Sequence, residues 1–175
     1  MDISQPQWLP PDKKLLAQIR KAEREGIVVQ SMDWQQHGDR FMALMELTEK
    51  RHQRKPTFPR AFFQDLYRIS THDNRLHWVW CEHQGQGVCS HIYVIENGVL
   101  QGWQIYFDKK FSFLKPNQYI QFTTCRAMAE RGIKWLNLGG SPENSPSLCY
   151  YKKRWGGETH RYRGLVHRSG LGRII

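Results

Sequence analysis

Acidic side chains are scarce in this sequence. The 175 residues include 16 Asp and Glu against 26 Lys and Arg, so the formal net charge is +10. Seven of the basic residues lie within positions 150–175, where Glu158 is the only acid. Such an excess favours a polyanionic partner, namely nucleic acid, a nucleotide-bearing substrate or an anionic membrane surface. The alternative is a solvated basic face that only aids solubility.

Long apolar runs, internal repeats and low-complexity tracts are also missing. No stretch approaches the ~20 apolar residues that span a bilayer, and the first residues lack the basic and apolar pattern of a secretory signal. We therefore expect a cytoplasmic protein with no transmembrane segment. Aromatic residues make up 13% of the chain, which excludes a disordered protein. The length fits one domain, which we place at 1–175.

Metal-binding spacings are absent. The four cysteines (Cys81, Cys89, Cys125 and Cys149) form no CxxC pair, and the eight histidines show no ligand spacing. We therefore predict no metal cofactor. Cys81 and Cys89 fall in neighbouring predicted strands, which leaves a disulfide open beside the alternative of buried free thiols.

Apolar periodicity and turn residues predict helices on both sides of a central run of strands. The predicted helices cover 12–25, a segment from an Asp39 cap through 48, 62–69, 116–132 and 145–154. The predicted strands cover 27–29, 76–82, 88–95, 100–107, 133–138 and 160–167. This order predicts an α+β fold, in which a mixed sheet has an antiparallel meander followed by a β-α-β step and is flanked by helices. Open sheets of this kind bind ligands at the carboxyl ends of their strands.

Two glycine pairs form the most informative motif. Leu136-Asn-Leu-Gly-Gly140 ends an apolar run at a turn, and Tyr150-Tyr-Lys-Lys-Arg-Trp-Gly-Gly-Glu158 is an aromatic and basic segment that closes with the second pair. Glycines let backbone N–H groups approach a ligand, and N–H groups beside Lys and Arg make an anion site. The alternative is a tight turn, a basic surface helix and a second turn.

Five segments, in order along the chain, carry a resemblance to a known family: Ile19-Arg-Lys-Ala-Glu-Arg-Glu-Gly26-Ile-Val-Val, Leu47-Thr-Glu-Lys-Arg51, Lys115-Pro-Asn-Gln-Tyr119, Arg131-Gly-Ile-Lys-Trp-Leu-Asn-Leu-Gly-Gly140 and Tyr151-Lys-Lys-Arg-Trp-Gly-Gly157. Together they resemble the GNAT-type acyltransferase fold and, more specifically, the C-terminal half of Fem-type peptidoglycan aminoacyltransferases. The last segment resembles the family signature of an aromatic residue, Lys, two variable residues, a second aromatic residue and Gly.

The resemblance implies an enzyme, an N-acyltransferase that transfers an acyl or aminoacyl group to the amine of a sugar-, peptide- or nucleotide-linked acceptor, as in cell envelope biogenesis. It implies acyl-CoA or aminoacyl-tRNA as the donor, and tRNA, a second copy or a partner half-domain as candidate partners. The alternative is a non-catalytic module of this fold that binds RNA or another polyanion, or a half-enzyme that needs a partner chain.

Two features depart from the family pattern. Fem-type enzymes carry two such halves, whereas this sequence has one. Ordinary GNAT enzymes carry a glycine-rich pyrophosphate loop before the central helix, and here that position reads Phe111-Ser-Phe-Leu-Lys-Pro116. The missing glycine weighs against acyl-CoA as the donor.

Two residues are predicted to be catalytic. Lys152 matches the signature lysine, and an ammonium beside a developing oxyanion stabilises it; the alternative is a surface lysine. Asp108, which follows the third strand of the meander, is predicted to orient the amine or accept its proton. The alternative for Asp108 is an aspartate that ends a strand and begins a turn.

Basic and glycine positions are predicted to bind substrate. Gly139, Gly140 and Ser141 would present N–H groups to the ligand, or form a plain turn. Arg51 would bind a phosphate, or cap its own helix through the dipole. Arg154 would be a second phosphate contact, although its i,i+2 offset turns it away from the face of Lys152.

Aromatic positions complete the predicted site. Tyr151, in the signature, and Tyr106 are predicted to bind substrate. Tyr106 belongs to a group of strand and signature aromatics that either stack on a ligand or lie in the core, together with Trp78, Trp80, Trp103 and Trp155.

Overall fold

The sheet has five strands that lie side by side in chain order. The computed structural model describes residues 1–5, 7–142 and 144–161. The strands are β1 (Val28–Ser31), β2 (Leu76–His83), β3 (Gln86–Glu96), β4 (Val99–Phe107) and β5 (Trp135–Asn137). The helices are α1 (Lys13–Arg24), α2 (Trp34–Arg51), α3 (Arg60–Ser70), α4 (Pro116–Glu130) and α5 (Pro146–Lys153), with a 3₁₀ helix at Lys109–Leu114.

Strands β1 to β4 pair antiparallel, and β5 pairs parallel to β4 after the α4 crossover. This mixed sheet with flanking helices confirms the predicted α+β class. On β4, strand β5 reaches only Val99–Gln101, at the start of the strand. Beyond that point no described strand covers the outer edge of β4, so the sheet opens between its last two strands.

Helices cover both faces of the sheet. On one face α4 packs its apolar side against β3, and α1 packs against α4. On the other face α2 and α3 pack aromatic residues against Trp78, Trp80 and Tyr106 of the sheet. The two hairpins are closed by Gln84-Gly85 and Asn97-Gly98, in which all four residues have positive φ, the backbone geometry of two-residue hairpin turns.

The start of α2 differs from the prediction. The helix begins after Asp33, whose carboxylate accepts hydrogen bonds from the backbone N–H of Gln35 at 2.9 Å and from Gln36 Nε2 at 2.7 Å. Asp39 lies within the helix and pairs with Arg60 instead of capping. Asp33 caps the helix because it has the extended backbone that a capping residue needs, with φ −120° and ψ 114°.

The other predicted elements agree with the structure to within a few residues, apart from the last predicted strand. Strand β5 is shorter than the predicted 133–138. Residues 162–167 of the predicted last strand lie outside the described residues, and 160–161 form no strand.

The cysteines are free thiols, and three of them (Cys81, Cys89 and Cys125) are buried. Cys81 and Cys89 are direct partners in the β2–β3 register, but they are not joined. Within the described ranges, no group of His, Cys, Asp and Glu could hold a metal ion. No helix in the same ranges is both long and apolar enough to cross a membrane.

Candidate active site at the opening between β4 and β5

The opening in the sheet coincides with a β-bulge on β4. The β3–β4 register shifts between the pairs Ile92–Gln104 and Tyr93–Gly102, which leaves Trp103 as the extra residue. The turn that follows β5 lies against the same point, because a Cβ placed on Gly139 would be 3.9 Å from the carbonyl oxygen of Gly102. Bulges disrupt pairing locally and are common beside active sites.

Lys152 lies directly on the glycine turn. Its Nζ donates to the carbonyl oxygen of Gly139 at 2.8 Å and to that of Gly140 at 2.7 Å. Lys152 is therefore on the same side as Gly139, as the sequence predicts. An ammonium has three N–H donors, so one remains for a ligand. Burial lowers the pKa of Lys152.

The glycine turn faces Lys152 with its carbonyls. The Gly139 N–H donates to Asn137 Oδ1 at 2.8 Å, so the prediction that it is offered to a ligand is wrong. Asn137 instead fixes the turn, with Gly139 at φ 74°. The N–H groups of Gly140 and Ser141 have no acceptor in the described part of the chain.

The rest of the signature fastens α5 to the first helix. Trp155 is fully buried, and it stacks on Trp8 with ring centroids 6.2 Å apart. Gly156 has φ 84°, and a Cβ there would lie 3.1 Å from Pro11, so only glycine fits the close approach. These contacts explain why the short helix α5 holds Lys152 at the glycine turn.

The structure gives Arg154 a protein partner instead of the predicted phosphate. Its guanidinium donates from Nε to Asp12 Oδ2 and from Nη2 to Asp12 Oδ1, both at 3.2 Å. Asp12 also caps α1 by accepting from the Leu15 N–H at 2.7 Å. The hydrogen bonds from Arg154 and then from Leu15 lower the pKa of Asp12. Arg154 therefore joins α5 to the start of α1.

Tyr151 is partly buried, with its ring centroid 6.2 Å from that of Trp155. Burial raises the pKa of its hydroxyl well above the ordinary value, and the thiols of Cys89 and Cys125 act in the same direction. Tyr151 therefore stays protonated at neutral pH and can donate a hydrogen bond.

Asp108 and Arg51 lie together at the far end of β4. Asp108 accepts from the Lys110 N–H at 3.0 Å and pairs with Lys110 Nζ at 3.2 Å, which are the contacts of a turn-forming aspartate. Arg51 donates to the Phe107 carbonyl oxygen at 2.9 Å, not to its own helix end, and its Cζ lies 4.3 Å from the Phe107 ring centroid. At ~3.3 Å per residue, this end of β4 is roughly 16 Å from Gly102. The structure does not bring Asp108 to Lys152.

Most of the predicted stacking aromatics belong to the core. Tyr106, Trp78, Trp80 and Trp155 are buried. Tyr106 packs edge-on against the rings of the α2–α3 layer, and burial followed by the charge of Glu49 raises its pKa to about 12. The prediction that Tyr106 contacts substrate does not match this position.

Trp103 is the exception among the predicted stacking aromatics. This bulge residue is 37% exposed, and it lies 5.8 Å from the Phe58 ring and 6.1 Å from the Phe62 ring.

Three features near β4 and the glycine turn were not predicted from the sequence. The bulge has a signal, because an isolated glycine within a strand pattern, here Gly102, marks bulges. Glu49 is 5% exposed and pairs with Arg54 at 3.0 Å. Its spacing of four residues after buried Met45 places it on the apolar face of α2, which was a readable signal. The hydrogen bond from Gly139 to Asn137 had no comparable signal.

Comparison with known proteins identifies the family. The sequence profile described as acetyltransferase (GNAT) domain matches residues 12–153, from the cap of α1 to the end of α5. The chain belongs to the GNAT acetyltransferase family. It is an acyltransferase, and the match includes Lys152. No curated protein sequence matches this GNAT chain.

Solved structures share the GNAT fold at low identity. FemX superposes with a TM-score of 0.73 and 12% identity over 89% of this chain and 57% of FemX. The aminoglycoside N-acetyltransferase AAC(6')-Iy gives a TM-score of 0.61 and 18% identity over 82% of this chain and 99% of its own. An aminoglycoside acetyltransferase from an uncultured soil metagenomic sample superposes with a TM-score of 0.63 and 11% identity over 82% of this chain and 97% of its own. This GNAT chain thus spans little more than half of FemX.

Proposed function

We propose that residues 1–175 act as one domain that transfers an acyl or aminoacyl group from an activated donor to the amine of a sugar-, peptide- or nucleotide-linked acceptor. Membership in the GNAT family supplies the reaction class. The ligands of structures with the same fold support a sugar-based acceptor, since AAC(6')-Iy was solved with the bisubstrate analog CoA-S-monomethyl-acetylneamine. The soil enzyme was solved with trehalose and with sisomicin.

The observation that carries this proposal is the contact of Lys152 with the Gly139–Gly140 turn, beside the bulge on β4. Attack of an amine on the acyl carbonyl forms a tetrahedral intermediate with a negatively charged oxygen. The remaining N–H of Lys152 is a donor suited to that oxygen, and the bulge at Trp103 interrupts the strand pairing beside it. Because the turn fixes the ammonium before the reaction, little reorganisation is needed.

Tyr151 is proposed to serve the leaving group. The residue precedes Lys152 on α5, and burial keeps its hydroxyl protonated. A neutral phenol can donate a proton or a hydrogen bond to a departing anion. Asp108 and Arg51, at the far end of β4, are proposed to position a charged part of a substrate rather than its reacting carbonyl.

The test is a screen of acyl-CoAs and charged tRNAs against amino-sugar and peptidoglycan-precursor acceptors, followed by Lys152→Met. Loss of one oxyanion donor lowers turnover on the order of 10²–10³, so we expect kcat to fall by that factor. If Lys152 only binds a ground-state phosphate, the loss appears mainly in KM.

Lys153→Met is the matched control, because Lys153 is exposed and points elsewhere on α5. A critical Lys153 with a dispensable Lys152 would contradict the assignment. Melting temperatures of both variants separate an effect on turnover from the loss of the two hydrogen bonds that Lys152 makes to the turn.

A second candidate is a half-enzyme that needs a partner chain and binds a polyanion. The net charge of +10 and the 57% coverage of FemX favour it. The near-complete coverage of AAC(6')-Iy favours a self-sufficient unit. Absence of turnover with every donor and acceptor pair, together with tight binding of a polyanion or a partner chain, would establish the second candidate.

A further inference from the structure

The connection between β4 and α4 is the place where a GNAT donor's pyrophosphate would meet the backbone. Here the connection folds into a 3₁₀ helix, and its N–H groups donate to acceptors within the connection itself. Asp108 accepts two of them, from Lys110 at 3.0 Å through its carboxylate and from Phe111 at 3.1 Å through its carbonyl. The Lys115 N–H closes the helix on the Ser112 carbonyl at 3.3 Å.

The first turn of α4 offers little more. Pro116 has no N–H, and the N–H groups of Gln118 and Tyr119 both bond to the Lys115 carbonyl at 3.2 Å. Asn117 is thus the only residue of this turn whose N–H has no acceptor within the described chain. A pyrophosphate-binding loop works through several converging N–H groups, and this connection does not provide them.

Side chains also cover the connection. Leu114 is buried, and Phe111 packs near His83 with ring centroids 6.4 Å apart. Lys115 has φ 60°, the conformation that favours glycine, yet it carries a full side chain. The residues present therefore do not fit the pyrophosphate of CoA in a backbone loop.

We infer that this connection does not bind pyrophosphate through its backbone, and that lysine side chains of α1 and of the 3₁₀ segment that carries Phe113 hold the phosphates of the acyl donor. The inference rests on the proposed function, because it concerns the donor of that reaction. The donor bears phosphates in either case, whether it is an acyl-CoA or the single-stranded end of a charged RNA.

The charges around Phe113 support this assignment. The Phe113 side chain is 57% exposed, and Lys21 Nζ of α1 lies 6.0 Å from its ring centroid. Lys109 is the first residue of the 3₁₀ helix and Lys115 follows its last residue; at ~2.0 Å per residue the helix is about 12 Å long. Lys110 is committed to Asp108. Cations around an exposed aromatic ring suit phosphates with an attached base that stacks.

Equilibrium binding without acceptor tests the inference independently of turnover. The probes are CoA, pantetheine (which lacks the phosphates) and total tRNA. The key variant is Lys115→Gly, because glycine keeps the positive φ and removes only the side chain; Lys109→Gln is the second variant. Lys134→Gln is the control, since Lys134 bonds through its N–H to Gly98 at the opposite end of β4.

We expect each lysine variant to raise the Kd for the phosphate-bearing donor roughly tenfold or more, because a hydrogen bond between charged groups is lost. For RNA, the slope of log K against log salt should also fall by about 0.7 per lysine removed. Pantetheine binding and the Lys134→Gln control should not change. If only CoA binding weakens in the lysine variants, CoA carries the phosphates of the donor. If only tRNA binding weakens, the donor is an RNA.

The inference is overturned if CoA binds at least 100-fold more tightly than pantetheine and Lys115→Gly leaves that ratio unchanged or raises it, because the backbone would then hold the phosphates. It is also overturned if neither CoA nor tRNA responds to either lysine variant. Intact donor binding by the wild type, without turnover of any acceptor, would contradict the proposed reaction and leave the phosphate site standing.

Discussion

At the scale of single residues, neighbouring residues of the signature on α5 have different roles. Lys152 contacts the glycine turn, whereas Trp155 and Gly156 pack against Trp8 and Pro11. Only one of these residues is presented to the opening in the sheet. Conservative changes at the others should therefore act first on stability.

Arg154 gives the clearest test of this division. Arg154→Met removes the bidentate pair with Asp12, so we expect the melting temperature to fall by roughly 2–4 °C. KM for the donor should stay within about twofold of the wild type. Thermal unfolding and steady-state kinetics measure the two effects. A raised donor KM with an unchanged melting temperature would restore Arg154 as a phosphate contact.

At the scale of elements, the β2–β3 hairpin depends on one glycine. A Cβ on Gly87 would lie 2.0 Å from Trp80 Cζ2. The indole cannot move away, because it is fully buried, stacks on His37 at 5.1 Å and donates to Glu82 at 2.8 Å. Close packing of this kind makes the hairpin intolerant of even a methyl group.

We therefore expect Gly87→Ala to lower the free energy of unfolding by about 1–3 kcal/mol or more, the usual cost of overpacking. Urea denaturation measures it. Gly102→Ala is the matched control, since its Cβ would meet its nearest neighbours at 3.8 and 4.0 Å, ordinary contact distances. Equal destabilisation by both changes would show that strand glycines matter only for the backbone.

At the scale of the whole molecule, buried histidines couple the fold to pH. His91 is fully buried between Tyr93, whose hydroxyl lies 2.7 Å from Nδ1, and Asn117, whose Oδ1 lies 3.1 Å from Nε2. Burial lowers the pKa of His91 and of His77 to about 4. Both side chains are therefore neutral in the folded protein at neutral pH.

The unfolded chain has ordinary histidine pKa values of ~6.5. Between pH 6.5 and 4 the unfolded chain binds protons at these histidines, whereas the folded protein does not. The free energy of unfolding therefore falls as the pH falls through this window, and it has its full value above pH 6.5. The steepest slope is about 1.4 kcal/mol per pH unit for each histidine. Urea unfolding between pH 7.5 and 5 measures it, and His91→Gln should reduce the slope by one proton. A slope that His91→Gln leaves unchanged would rule out His91 as a source.

The sequence by itself determined the elements, their order and the family. Period and turn chemistry are local, so α1, α3, α4, the meander and the two hairpin turns could be predicted from neighbouring residues. The Gly139–Gly140 turn and Lys152 were also predicted to face one ligand, because glycine N–H groups and a neighbouring lysine together make an anion site. Recognition of the family followed from the order of five short segments.

Only the tertiary structure decided what each site residue contacts. Arg154 meets Asp12 across 142 positions of the chain, and no local pattern predicts such a partner. Asp108 and Tyr106 share β4 with the bulge, yet strand length and the alternation of faces carry them away from Lys152. The bulge and the early end of β5 arise from pairing between strands. The opening between β4 and β5 is for that reason a property of the assembled sheet.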